Sequence, residues 1–91
     1  MQAEIYTKTT CPWCDKAKEV LNELNIPYQE FILSPGYDED KPQANQRYVS
    51  RADLLERMPG AKTVPQIWID GEHIGGCTEL QAQVAQGRFQ S

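Results

Sequence analysis

The sequence predicts a small α/β domain, one sheet with helices packed on it. Three observations carry this. An alternating stretch at residues 3 to 8 runs into an amphipathic segment and then into an aromatic and branched run at residues 28 to 33. Strand, helix and strand with short links form a right-handed parallel crossover. Further on, Asp70-Gly71 stands between Gln66-Ile67-Trp68-Ile69 and Glu72-His73-Ile74, the signal of a tight antiparallel hairpin. The 91 residues make one small domain with a modest core, so residues 1–91 are expected to form a single domain.

In the first strand Ala3, Ile5 and Thr7 alternate with Glu4, Tyr6 and Lys8, the period of a pleated chain. Thr9 and Thr10 make a polar loop. The helix that follows carries Ala17, Val20, Leu21 and Leu24 at i, i+3, i+4 and i+7, one apolar stripe facing a sheet. Lys16, Lys18, Glu19, Asn22 and Glu23 are expected off that stripe as solvated charge. Asn25 is expected to end the helix, and Pro27 forbids its continuation. Tyr28 to Leu33 is the second strand. Ser34-Pro35-Gly36 reads as a turn, Asp38-Glu39-Asp40 as a solvated acidic face, and residues 41 to 49 as a short helix.

Ser50 and Asp53 have the spacing of a capping box. Leu54, Leu55 and Met58 then give a short amphipathic helix that ends near Pro59-Gly60. Gln66-Ile67-Trp68-Ile69-Asp70 reads as a strand and Glu72-His73-Ile74 as its return. At Gly75-Gly76 a backbone or ligand can come close. Thr78 and Gln81 repeat the capping-box spacing, and Leu80 and Val84 begin a last helix that ends near Gly87.

The chemistry centres on Cys11-Pro12-Trp13-Cys14, between the first strand and the first helix. Helix N-termini carry unpaired N–H groups and partial positive charge, which favour a thiolate at Cys11 over the free thiol. Pro12 suits the first helical position. Cys14 follows one turn later on the same face, and Trp13 supplies a flat apolar wall beside the sulfur. Redox exchange is therefore expected. Two other readings fit the residue types: a structural disulfide, which would stabilise little across so short a loop, and a zinc set of Cys11, Cys14, His73 and Cys77. Pro and Trp between the cysteines suit a redox helix start better than a zinc turn.

Lys8 stands just before the cysteine loop, where its ammonium would hold a substrate carboxylate or favour the thiolate. His73, the only histidine, reads as a surface strand residue, Trp68 and Phe31 as core, and Cys77 as a small buried hydrophobe or an exposed oxidisable thiol. The formal net charge of −4 excludes a general nucleic-acid binder, which needs a basic face. No apolar run reaches membrane-spanning length. The chain opens on a strand without a signal-peptide core, so a reducing cytoplasm is expected, where cysteines are reactive more often than structural.

Cys11-Pro12-Trp13-Cys14, Thr63-Val64-Pro65-Gln66 and Gly75-Gly76-Cys77-Thr78-Glu79-Leu80 occur in that order over nearly the whole chain. With these motifs the sequence resembles a dithiol glutaredoxin. The stretch 34 to 60 looks longer than in short bacterial members and is similar to the expanded region of some phage forms. The resemblance implies a thioredoxin-like three-layer α/β/α sandwich with a mixed four-stranded sheet of order 2-1-3-4. It implies a glutathione-dependent thiol–disulfide oxidoreductase acting through Cys11 and Cys14, with no tightly bound cofactor and no metal.

By position, Lys8 would neutralise the glycyl carboxylate of glutathione, with Gln46 or Arg47 as its companion. Trp13, where tyrosine is commoner, would flank the tripeptide. Val64, before a cis Pro65, would pair its backbone with the cysteinyl part. The turn at Gly76 would let the backbone N–H groups of Cys77 and Thr78 receive the γ-glutamyl carboxylate. Thr78 replaces a frequent aspartate, for which Glu79 would compensate. The implied partners are glutathione and disulfide-bonded or glutathionylated proteins, ribonucleotide reductase among them by family expectation, and a monomer is expected. A different class within the resemblance is a glutathione-ligated iron–sulfur cluster carrier, against which Pro12 argues.

Overall fold

A computed structural model describes residues 1–8, 11–33 and 44–89. In chain order the elements are β1 (Ala3–Lys8), α1 (Pro12–Glu23), β2 (Tyr28–Leu33), β3 (Gln46–Val49), α2 (Arg51–Arg57), β4 (Gln66–Ile69), β5 (Glu72–Gly75) and α3 (Cys77–Ala85). The expected three-layer α/β/α fold class is what forms, but among the described residues its sheet has five strands, in the order β3-β2-β1-β4-β5. The four strands foreseen keep their order, and β3 is added at the β2 edge.

The added strand replaces the helix expected at residues 41 to 49. Residues 46–49 pair in parallel with Glu30 to Leu33, and the Glu30 N–H donates to the Asn45 carbonyl at 2.7 Å. Pairing satisfies the open edge of β2, which an isolated helix turn would leave bare. Tyr48 and Val49 are residues that suit a half-buried pleat. The proposed turn at 34 to 36, the acidic run at 38 to 40 and residues 41 to 43 lie outside the described residues, as do Thr9 and Thr10.

β1 pairs with β2 in parallel and with β4 antiparallel, so it is the central strand. Ala3, Ile5, Ile67, Ile69 and Ile74 face one core together with Ala17, Val20 and Leu21 of α1 and Leu80 of α3. Tyr6, Trp68, Ala61 and Leu54 of α2 form a second core on the opposite face. Tyr6 stacks on Phe31 with centroids 4.8 Å apart and meets Trp68 edge-on at 5.4 Å. The alternating pattern of β1 thus buries both faces.

Helix ends follow the residues that stop them. Asn25 takes φ 58, and its N–H donates to the Asn22 carbonyl while that of Ile26 donates to the Leu21 carbonyl, both at 3.0 Å. These two bonds satisfy carbonyls the helix leaves open. Gly87 (φ 85) does the same for α3, with Gly87 N–H to Val84 and Arg88 N–H to Gln83. The Ser50–Asp53 capping box forms in full, and Asp70 and Gly71 take φ 52 and 84 in the β4–β5 turn. The Thr78–Gln81 box does not form. α3 starts earlier than that spacing implied, with Gly76 at its N-cap and no side-chain cap bond. Among the described residues no helix is long and apolar enough to cross a membrane.

Candidate active site

The end of β1 aims the chain at the first turn of α1, where Cys11 is the N-cap and Pro12 the first helical residue. The Cys14 N–H, in the first turn of the helix, donates to the Cys11 sulfur at 3.2 Å. The Cys11 carbonyl accepts from the N–H groups of Cys14 and Asp15, both at 3.1 Å. Cys11 and Cys14 form a disulfide across Cα atoms 5.2 Å apart. Cys11 is 8% exposed and Cys14 1%, so Cys11 is the more accessible residue of the pair.

A groove of about 190 Å³ runs beside the pair. Trp13, Val64, Pro65, Gly76, Cys77 and Thr78 line it, with Thr63 and Glu79. Trp13 is 59% exposed, an unusual place for an indole unless it forms a wall. The Val64–Pro65 peptide bond is cis. Gly76 lies so near that a Cβ built on it would stand 3.3 Å from the Pro65 carbonyl oxygen, and one on Gly75 would stand 3.0 Å from the Glu79 side chain. Gly76 offers α3 no side-chain cap, and the start of that helix, Gly76, Cys77 and Thr78, lines the groove.

Six of the residues singled out from the sequence, Trp13, Val64, Pro65, Gly76, Cys77 and Thr78, are therefore brought together in this groove. Lys8 lines an adjoining cavity of about 210 Å³ that shares Thr63 and Val64 with it. Neither Gln46 nor Arg47 reaches that cavity, whereas Arg51 and Lys62 do. Gln46 instead donates to Glu30 at 2.9 Å. The Cys77 side chain is buried in the first core, and burial pushes its thiol up, with Glu79 adding to the rise and Lys16 opposing it. It is a packing residue, and its contribution to the groove is backbone.

His73 is exposed on β5, as expected, but it is not idle. Its Nε2 lies 2.9 Å from the Gln66 Oε1, and Gln66 in turn donates to the Thr63 carbonyl at 3.0 Å. Cys11 and Cys14 are bonded to each other, and among the described residues no three His, Cys, Asp or Glu side chains gather as metal ligands.

Two features escaped the sequence reading. Gln66, buried beside Pro65, ties the groove loop to the hairpin. Glu30, 3% exposed, accepts from Thr7 Oγ1 at 2.6 Å, Gln46 Nε2 at 2.9 Å and Lys18 Nζ at 3.2 Å. Burial would raise the Glu30 carboxyl, but the bonds from Thr7, Gln46 and Lys18 and the Lys18 charge outweigh it and hold it below the ordinary carboxylate range. Lys18 is thus not the solvated charge expected. Burial works against its ammonium, and the bond and charge of Glu30, with Asp15 and Tyr28, hold it above the usual lysine value. A lone Glu inside a strand pattern was the one available signal.

Comparison with known proteins agrees with this arrangement. The glutaredoxin family model matches residues 3–74. Glutaredoxin 3 of Escherichia coli K12 is 39% identical over 84 residues, covering 92% of this chain and 87% of that protein. The crystal structure of glutaredoxin 1 from Francisella tularensis, complexed with cacodylate, superposes with a TM-score of 0.68 at 35% identity over 93% of each chain. A buckwheat glutaredoxin–glutathione complex superposes with a TM-score of 0.69 at 29% identity, over 96% of this chain and 71% of that one.

Proposed function

This chain belongs to the glutaredoxin family of thiol–disulfide oxidoreductases, and we propose that glutathione is its reductant and Cys11 its attacking sulfur. The observation that carries this is the Cys14 N–H directed at the Cys11 sulfur at the start of α1. Once the disulfide is reduced, that amide and the helix end favour the thiolate.

With a glutathionylated protein, the Cys11 thiolate attacks the glutathionyl sulfur. The mixed disulfide breaks, its electron pair leaves on the protein sulfur, and that thiolate takes up a proton. A second glutathione, as thiolate, attacks the sulfur now carried by Cys11. Glutathione disulfide leaves and the Cys11 thiolate is restored. With a protein disulfide, Cys11 forms a mixed disulfide with one sulfur and releases the other. Cys14 then loses its proton and attacks the Cys11 sulfur, which frees the substrate dithiol and leaves the Cys11–Cys14 disulfide. Two glutathiones reduce that bond.

The groove is the proposed glutathione site, with no group tightly bound at rest. Lys8 meets the glycyl carboxylate, and Trp13 flanks the tripeptide. The Val64 backbone, next to a Pro65 that has no N–H to donate, pairs with the cysteinyl residue. Gly76 admits the γ-glutamyl carboxylate to the N–H groups of Cys77 and Thr78. The buckwheat neighbour, a complex with glutathione, supports this assignment.

The test is a glutathione-coupled assay on a glutathionylated peptide and on a protein disulfide. Cys11→Ser is expected to abolish turnover of both. Cys14→Ser is expected to keep deglutathionylation and lose disulfide reduction. Wild-type rates for Cys11→Ser would refute the assignment.

A further inference from the structure

One turn of α1 beyond Cys14 lies a charged cluster that the reaction described above leaves unused. Cys14, Ala17, Lys18 and Leu21 stand at i, i+3, i+4 and i+7, one stripe of the helix. Cys14, Ala17 and Leu21 are buried on it. Lys18 does not turn from it to solvent. Its Nζ lies 3.2 Å from the Glu30 Oε2 and 3.6 Å from the Asp15 Oδ1. Asp15 is the neighbour of Cys14 in sequence, so the ammonium leans back toward the turn that carries the thiol, as long helical side chains do. The same Glu30 oxygen accepts from the Thr7 Oγ1 at 2.6 Å. Thr7, two residues beyond Ile5, shares the sheet face of Ala3 and Ile5, which lie in one core with Ala17 and Leu21. The cluster therefore joins the sheet to the helix just below the cysteine turn. Around that turn, among the described residues, the other charged or titratable groups are Asp15 and Lys16 of α1, Lys8 at the end of β1, Tyr28 of β2 near Lys18, and Cys77 and Glu79 of α3.

We propose that Lys18 is a positioning residue for the resolving step: its ammonium, held against the sheet by Glu30, favours the Cys14 thiolate, and the Glu30 carboxylate limits that effect. The inference rests on the route in which Cys14 resolves a mixed disulfide, and not on which thiol is the reductant. In that step the Cys14 thiol gives its proton to water and its sulfur bonds to that of Cys11. The bond from Cys11 to the substrate breaks, and its electron pair leaves on the substrate sulfur, which takes up a proton. Burial opposes the charge that Cys14 must carry, and Cys14 is 1% exposed. Cys11 is already served by the helix end and the Cys14 N–H. A cation one turn along the helix acts where the second charge is harder to form.

The test reads Cys14 directly. In a Cys11→Ser protein its ionisation is followed by carbon NMR at the Cys14 Cβ. Lys18→Met is expected to raise the midpoint by about half to one pH unit, the low end for a neighbouring charge because Lys18 is partly exposed. Lys18→Arg is expected to restore it, and Glu30→Gln to move it the other way, downward. With Cys11 present, pre-reduced protein is given a peptide disulfide and release of the second peptide thiol is timed in a single turnover. Lys18→Met is expected to slow that release about two- to fourfold at pH 7, since the scarcer thiolate is also the stronger nucleophile. Deglutathionylation, which needs no Cys14, is expected to slow less.

A Cys14 midpoint that stays in place in Lys18→Met overturns the proposal. So does a shift of the same sign in Lys18→Met and Glu30→Gln, which lost packing produces and lost charge does not. So does equal slowing of the two reactions. The midpoint is read without substrate or glutathione, so it decides the proposal even where the reductant or the disulfide route proves wrong.

Discussion

Gln66 works with both ends of its side-chain amide. Nε2 donates to the Thr63 carbonyl at 3.0 Å, and Oε1 faces the His73 Nε2 at 2.9 Å. Thr63 and Val64 border the groove and the cationic cavity alike, so this one side chain holds the wall they share. Gln66→Met keeps the shape and removes both bonds. It is expected to raise KM for a glutathionylated peptide about fivefold with kcat nearly unchanged, the scale of one net hydrogen bond of about 1 kcal/mol. An unchanged KM would show that the loop holds itself. The cysteine pair and Pro12 were legible in the sequence because their meaning is local: spacing, helix start and a missing N–H. Gln66 was not, because its partners come from a loop before it and a strand after it, and no residue type announces such a bridge. Lys18 shows the same limit. A helical wheel counts it as solvent-facing, and only a buried Glu30 on a neighbouring strand makes it otherwise.

At the scale of elements, what could be read were those with a strong period or a stop signal of their own. The stripe of α1, the Asp70-Gly71 hairpin and the Ser50–Asp53 box all formed. β3 did not declare itself. It has four residues, too few for a period, and it exists because β2 offers an edge, a fact about the assembled sheet. α3 shows the converse: Thr78 and Gln81 have capping-box spacing, yet the helix starts at Cys77 behind Gly76, and its first residues line the groove. α2, only seven residues long, has little intrinsic stability and depends on its cap. The Ser50 Oγ accepts from the Asp53 N–H at 3.2 Å and the Asp53 carboxylate accepts from the Ser50 N–H at 2.9 Å. Ser50→Ala is expected to cost about 1 kcal/mol, read as a fall in Tm of about 4–8 °C for a domain of this size. A Tm unchanged within error would mean that the burial of Leu54 alone holds the helix.

Across the whole molecule, Glu30 is where the layers are tied. Its carboxylate joins Thr7 of β1, Lys18 of α1 and Gln46 of β3 from its own place on β2. The helix that carries the cysteines and the added edge strand thus meet at one charge. Among the described residues no buried side-chain polar atom lacks a partner, so the cluster is satisfied only while Glu30 is ionised. Its carboxyl is held below the unfolded value of about 4.3. The contribution of Glu30 is therefore whole above the unfolded pKa and is lost as pH falls through the lower, folded one. Glu30→Gln removes the charge but keeps the volume, and it turns a donor toward one of the three donors already there. It is expected to cost about 2 kcal/mol at pH 7, the scale of a hydrogen bond to a charged group. Urea unfolding of both proteins from pH 7 down to about 2 would measure the difference. The gap is expected to stay level to about pH 5 and to narrow steadily below that. A gap of the same size at every pH would mean that Glu30 contributes through shape alone, and that the layers are joined by packing rather than by its charge.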